Sequence, residues 1–442
     1  MTEQAEAPAG APNVLLIQLD GIGFGQASAS GGPAATPHVE ALVASGAAYN
    51  RFHGTSMCWS TRAAMLTGRN HHRFKAGAEA RAVAEDAAGF PEYDLALPCS
   101  VVSIGTIMGG NGYHTAWFGQ AHDLAEDLVD RAREWIAAHR SQNPGKPFFA
   151  YLTADAQYAP QHVLQPYIER YKGTFDGGWE VVRRETLERQ KAMGLIPGDT
   201  EFAADPDGCA DWNQLPGDDR HRLAQLQEAY AGSVTYADEQ VGRLVSVLDE
   251  LSIRRNTLVI LIAGDSAGSA QSAWVGPADA HSDPHSGGTR RLAAMSWPRR
   301  IAAGGRRAQF HHVIDILPTI LDAAKIAAAQ SVTVEITAAQ SIAAQSVDGI
   351  GQLPVDGVSM GYTWQAAHSP GRRTTQYFEH GGDRAIYHNG WFASARHSLP
   401  WKLYDQTADV CQTNDRAESY PDKVRQLAEI FDEEARANNV HA

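Results

Sequence analysis

Two short, nearly uninterrupted apolar runs, each ending where an aspartate sits beside a glycine, constrain the fold of this chain most. Val14-Leu15-Leu16-Ile17-Gln18-Leu19 runs into Asp20-Gly21, and Thr257-Leu258-Val259-Ile260-Leu261-Ile262-Ala263 runs into Gly264-Asp265. A strand with one wet face alternates apolar and polar residues. A continuous run therefore belongs to a strand covered on both faces, as in the middle of a parallel sheet. Phe148 to Leu152 and Thr115 to Phe118 read as two more strands. Between them the spacing becomes helical. From Asp123 to His139, Leu124, Leu128, Ala132, Trp135 and Ile136 share one face, and Asp123 with Glu126 forms a capping-box pattern. Arg220 to Leu251 carries Leu223, Leu226, Tyr230, Val234, Val241, Leu244 and Leu248 at helical spacing, as one long helix or two consecutive ones. Strand and helix alternate, which is the α/β pattern. Ligands gather at the carboxyl ends of the strands in such sheets, so Asp20 and Asp265 are expected at one edge, where they suit a metal site.

At 442 residues with 43% apolar content, the chain exceeds one comfortable core, and a large α/β domain with an appended part is expected. Residues 1–12 read as a disordered leader and 13–326 as the α/β domain. Ala-Ala-Gln-Ser recurs from 328, 338 and 343 without a constant period, so 327–350 reads as a solvated low-complexity linker. In the C-terminal subdomain, 351–442, Gln376 to Glu379, Arg384 to His388 and Trp391 to Ala393 predict a small antiparallel sheet. Pro421 opens a last helix with Val424, Leu427, Ile430 and Phe431 as its buried stripe.

Lys and Arg number 37 against 51 Asp and Glu, a net charge of −14, which argues against nucleic acid as a partner. Net charge governs long-range steering and leaves room for a local positive pocket. No run of about 18 apolar residues occurs, so no membrane span is expected. The first residues lack the basic start and apolar stretch of a secretory signal, and a cytoplasmic location is the expectation. Cys58, Cys99, Cys209 and Cys411 lie far apart with no C-x-x-C pair, against a zinc knuckle or a disulfide scaffold.

Only Cys58 has an informative setting: Met57-Cys58-Trp59-Ser60-Thr61-Arg62-Ala63-Ala64-Met65-Leu66-Thr67-Gly68-Arg69. This stretch resembles the signature of the type I sulfatases of the alkaline phosphatase superfamily: Cys, any residue, Pro or Ala, Ser or Thr, Arg, then Leu-Thr-Gly-Arg after a short apolar turn. Ser60 stands where Pro or Ala is usual. Further matches follow in order from residue 12 to 440. They include Gly112-Tyr113-His114-Thr115-Ala116, similar to the strand that leads to a catalytic Lys and His, and His285-Ser286-Gly287-Gly288-Thr289-Arg290 with Trp297-Pro298 and Phe310 to Ile320, which resemble landmarks of the arylsulfatase branch. The resemblance implies a large mixed, mostly parallel sheet flanked by helices, with a small antiparallel subdomain at the C-terminus. It also implies hydrolysis of a sulfate monoester, aryl sulfates first.

Sulfate monoesters resist hydrolysis, so a catalyst needs a positioned nucleophile, cations for the sulfuryl oxygens and a proton donor for the leaving oxygen. The resemblance implies that Cys58 is oxidised to formylglycine by a formylglycine-generating enzyme and that Arg62 is its charge partner. The stretch from Thr61 onward is expected to be a helix whose first amides favour the anion. The resemblance further implies a weakly held Ca2+ or Mg2+ on Asp20, Asp265, Ser266 and the modified Cys58, with His122 and His285 completing the catalytic set. Several positions depart from the family pattern. Gly21 follows Asp20 where a second Asp is usual, and Ser266 follows Asp265 where Asn is usual. Gln120 stands in place of a lysine and Gln161 in place of a histidine, and a second lysine near Ala280 or His281 is missing. Calcium takes six to eight oxygens, so these changes predict a wetter site. Two alternatives stand beside the hydrolase: a catalytically impaired binding protein of the same fold, and a phosphoester or phosphonate hydrolase using Thr61, Ser60 or unmodified Cys58.

Overall fold

A computed structural model of the chain describes residues 5–74, 97–119, 126–155, 161–202, 210–264, 286–326, 346–347 and 350–440. Its main sheet has seven strands: β1 (Asn13–Asp20), β2 (Ala47–His53), β3 (His114–Phe118), β4 (Phe148–Asp155), β5 (Thr257–Gly264), β6 (Arg290–Ser296) and β7 (Gly305–His312). Their order is β3-β4-β1-β5-β6-β2-β7. Only β6 runs antiparallel to its neighbours; the other pairings are parallel. The two apolar runs are thus the adjacent central strands β1 and β5, and every residue of β5 is buried.

Among the described residues nine α-helices have seven residues or more: α1 (Pro37–Ala44), α2 (Cys58–Thr67), α3 (Ile104–Gly110), α4 (Glu126–Gln142), α5 (Gln161–Ile168), α6 (Trp179–Ala192), α7 (Gly217–Glu250), α8 (Ile316–Ala324) and α9 (Pro421–Ala437). They cover both faces of the sheet. Leu15, Ile17 and Leu19 pack with Val39 and Leu42 of α1, Leu128, Ala132 and Ile136 of α4, and Tyr230, Val234 and Val241 of α7. Val14 and Leu16 pack on the other face with Ala64, Met65 and Leu66 of α2, Met108 of α3 and Leu317 and Ile320 of α8. Each fully buried Leu, Ile or Val contributes about 1.5–3 kcal/mol, which is why continuous apolar strands demand two helical layers. Side chains alternate along a strand, so the even positions of β1, ending at Gln18 and Asp20, lie on the face that α2 covers.

Residues 217 to 250 form one continuous helix, and its stripe omits Leu226, which is 38% exposed. The helix expected from Asp123 runs Glu126–Gln142, and Asp123 with its capping box lies outside the described residues. Strands β2, β6 and β7 had no apolar signature of their own.

A two-stranded ladder, β8 (Ser346–Val347) with β9 (Ile350–Gly351), precedes an antiparallel sheet of β10 (Thr375–His380), β11 (Asp383–His388), β12 (Trp391–Ala395) and β13 (Lys402–Asp405). The first three strands of that sheet were expected and β13 was not. One face packs on Leu427, Phe431 and Ala435 of α9. The other packs on Phe310 of β7, whose ring stacks on Tyr387 at 3.7 Å between centroids. Among the described residues no helix is long and apolar enough to cross a membrane.

Candidate active site

The loop between β2 and α2 is held by a knot of hydroxyls. With its one proton donated to the Met57 carbonyl (2.9 Å), Thr55 Oγ1 accepts from Ser60 Oγ (2.6 Å) and Thr61 Oγ1 (2.8 Å). Thr61 Oγ1 accepts in turn from the Thr55 amide at 3.0 Å. Ser60 and Thr61 are buried. Their hydroxyls are therefore committed to the loop, which argues against either as a nucleophile. Met57, the residue before α2, is extended and gives the helix no side-chain cap. The amino end of such a helix favours an anion. The helix starts at Cys58, three residues earlier than the motif predicted, so Cys58 itself occupies its first turn.

The second half of the motif is structural. Leu66 is core, and Thr67 Oγ1 donates to the Ala63 carbonyl at 2.8 Å. Gly68 ends the helix at φ 66°, a left-handed conformation that suits glycine. Arg69, buried, donates to the carbonyls of Thr67 (2.7 Å) and Leu353 (3.0 Å), tying the helix to the C-terminal part.

Arg62 follows Cys58 by one helical turn and shares its face. Its Nη2 donates to Asp20 Oδ2 at 3.1 Å, with 22% of the Arg62 side chain and 9% of the Asp20 side chain exposed. Gln18 Nε2 donates to Asp20 Oδ1 at 2.9 Å, and Tyr151 OH donates to Gln18 Oε1 at 2.7 Å. Burial works against the charge of Arg62, but Tyr151, Asp20 and Cys58 outweigh it and raise the guanidinium above its ordinary pKa. Burial likewise pushes Tyr151 up to about 12, with Arg62 pulling the other way. Arg62 Nε is buried and has no hydrogen-bond partner among the described residues, a donor in reserve beside Cys58. Asp20 and Arg62 are thus paired beside the turn of α2 that carries Cys58.

Asp20 pairs in register with Gly264, the residue before Asp265. A Cβ on Gly264 would fall 2.0 Å from Cδ of Arg291, so glycine admits that buried side chain. Arg291 Nη2 in turn donates to the Thr55 carbonyl at 2.7 Å, joining the end of β5 to the motif loop. Asp265, Ser266, His122 and His285 lie outside the described residues, as do Gln120, Ala280, His281 and the side chain of Gln161. Among the described residues no group of three or more His, Cys, Asp or Glu is gathered to hold a metal ion. Among the described residues, Asp20 fits the hard oxygen chemistry of Ca2+ or Mg2+, since its carboxylate oxygens each accept a hydrogen bond and keep a lone pair.

Gln18, Tyr151 and Arg291 were not anticipated. The signal for Gln18 was present: it is the one polar residue in its run, two before Asp20 and so on the same face. His71 is buried against His72 at 3.9 Å between ring centroids. His72 is held by Glu379 Oε2 (3.0 Å) and Tyr377 OH (3.1 Å) of β10.

The chain matches the Sulfatase family model over residues 12–126 and 121–326. It is 25% identical over 427 residues to an uncharacterized sulfatase of Schizosaccharomyces pombe, covering 74% of this chain and 77% of that protein. An arylsulfatase of Klebsiella aerogenes is 23% identical over 317 residues, 59% of this chain and 67% of that one. A putative sulfatase from Bacteroides fragilis superposes with a TM-score of 0.67 at 14% identity, over 99% of this chain and 98% of that one. A phosphonate monoester hydrolase of Agrobacterium radiobacter superposes with a TM-score of 0.61 at 15% identity, over 96% of each chain. At such identities the structural likeness speaks for the fold alone.

Proposed function

The chain belongs to the sulfatase family, and on that premise we propose that it hydrolyses a sulfate monoester, with aryl sulfates as the first substrate class, at the edge formed by Asp20, Cys58 and Arg62. The observation that carries this reading is the Arg62–Asp20 pair one helical turn from a cysteine at an uncapped helix start. Oxidised by a formylglycine-generating enzyme and hydrated, Cys58 supplies two hydroxyls, one for attack on sulfur and one for release of sulfate. Asp20, Asp265, Ser266 and the modified residue 58 would hold a divalent cation, Ca2+ or Mg2+, which would supply positive charge to the sulfuryl oxygens.

The chain's own side chains do the rest. Arg62 Nε and the first amides of α2 orient the anionic ester, and Gln18 and Tyr151 fix the Asp20 carboxylate. His122 and His285 are the candidates to protonate the leaving oxygen as its bond to sulfur breaks. Losing one positioned charge at a developing anion costs about 100 to 1,000-fold in rate, so Arg62→Ala should fall by that much. The test is hydrolysis of a chromogenic aryl sulfate with added calcium, alongside peptide mass spectrometry of residue 58. Cys58→Ala should abolish turnover. Equal rates in Cys58→Ala and the unaltered chain would overturn the hydrolase and favour a binding role.

A further inference from the structure

The opposite edge of the main sheet carries a second depression. There the loop after α4, the turn after α7 and the segment after β6 enclose a cleft of about 450 Å3 that reaches Asn13 and Phe148 at the amino ends of β1 and β4. This volume falls within the range of small-molecule sites, about 300–1,000 Å3. Four cations line it, Arg140, Lys146, Arg255 and Arg299, and no Asp or Glu does. In a chain with 51 acids against 37 bases, an acid-free wall of this kind runs against the protein's overall charge.

The wall is also held in shape. His139 Nε2 donates to the Lys146 carbonyl (2.9 Å), and Arg140 Nη1 to that of Pro144 (2.7 Å). Asn256 Nδ2 donates to the Ala11 carbonyl (3.2 Å), and Asn256 Oδ1 accepts from Arg299 Nη1 (3.3 Å). Arg140 and Arg299 thus use single N–H groups on neutral oxygens and keep the remainder of each guanidinium. All four cations are exposed.

We propose that this cleft binds a compact oligophosphate, a di- or triphosphate group free or on a small molecule. One exposed ion pair is weak, so a single anionic group is not retained. A ligand that meets several cations at once is, and planar guanidinium groups suit phosphate oxygens. The eight residues of β1 separate the cleft from Asp20 by about 23 Å, so no small ligand spans both sites. The proposal is independent of the hydrolase reading.

Calorimetric titration of the full chain, free of divalent metal, with inorganic pyrophosphate tests it, with inorganic sulfate as the single-anion comparison. Pyrophosphate should bind saturably, at least about tenfold tighter than sulfate, and weaken as salt is raised. Reversing two exposed charges, Arg255→Glu with Arg299→Glu, should weaken pyrophosphate at least about tenfold, while Arg62→Ala leaves it unchanged. Absence of saturable binding, or affinity untouched by the double reversal, would overturn the site. Loss of binding in Arg62→Ala would also overturn it, by assigning the anion to the catalytic edge.

Discussion

Ser60 shows how one altered motif position is absorbed. Its hydroxyl donates to Thr55 Oγ1 at 2.6 Å and has the Met57 carbonyl as a second acceptor at 3.1 Å, so it braces the loop that presents Cys58. Ser60→Ala should therefore destabilise the protein by about 1 kcal/mol, the usual net value of a hydrogen bond lost from a buried site. Urea unfolding measures this, and an unchanged midpoint would show that the Thr55 knot is complete without Ser60. At this scale the sequence was legible where chemistry is spelled locally: the motif's Arg62 pairs with Asp20 at the strand end, one helical turn from Cys58. Gln18 was legible in principle through the two-residue period of its strand. Tyr151 and Arg291 were not, because each reaches its partner, Gln18 and the Thr55 carbonyl, across more than a hundred residues of chain.

Between elements, one joint is made by Asp315, fully buried where β7 gives way to α8. Arg373 Nε lies 3.1 Å from each of its oxygens and Arg373 Nη2 closes on Oδ1, while His311 Nδ1 meets Oδ2 at 2.9 Å. Oδ1 also accepts from the Val358 amide at 2.8 Å. This joint fastens the chain leading into β10 onto the main sheet. Arg373→Met leaves a buried carboxylate without its cation and should cost about 3–5 kcal/mol, whereas Arg373→Met with Asp315→Leu should cost clearly less than the sum of the single changes. A double-mutant cycle by urea unfolding reads the coupling, and strict additivity would remove the pair from this role. The same chemistry hid β7 from sequence reasoning. Apolar runs exposed β1, β4 and β5, but β7 buries Arg307, Gln309, His311 and His312. Arg307, Gln309 and His311 are tolerated because the later segment 362–369 supplies partners: Arg307 Nε donates to the Thr363 carbonyl (2.7 Å), Gln309 Nε2 to those of Ala367 and Ser369, and Tyr362 OH meets His311 Nε2. Hydropathy cannot register a strand whose burial depends on partners fifty residues away.

For the whole molecule, the seam between the two sheets and the motif loop sets the response to acid. His53, His71 and His312 are packed there, and burial first, then nearby cationic groups, hold each below its ordinary pKa, His312 at about 3. A histidine of this kind binds fewer protons folded than unfolded between its folded value and the ordinary value of about 6.5, so stability rises with pH across that window. Its contribution is complete above the unfolded value and is lost as pH falls toward the folded one. Asp315 acts with the same sign at lower pH: burial opposes its charge, but Arg373 and His311 hold its carboxyl below the usual range. Asp238, which accepts from the His38 and Val39 amides at the start of α1, is pushed up to about 6 by burial and has the opposite sign. Its folded form keeps a proton that the unfolded chain releases between about pH 4 and 6, so its contribution falls as pH rises there. Burial also raises the carboxyls of Asp356 and Glu434 and lowers His114, His139 and His388, so six histidines against three carboxyls leave a net loss on acidification. The thermal midpoint should drop between about pH 7.5 and pH 5, and His312→Asn should shrink that drop by about 2 °C or more, because the unfolded state then has one proton fewer to gain. A midpoint that stays flat over this range, or a drop of equal size in His312→Asn, would mean that the seam admits protons in the folded state and that His312 is not held neutral by its burial.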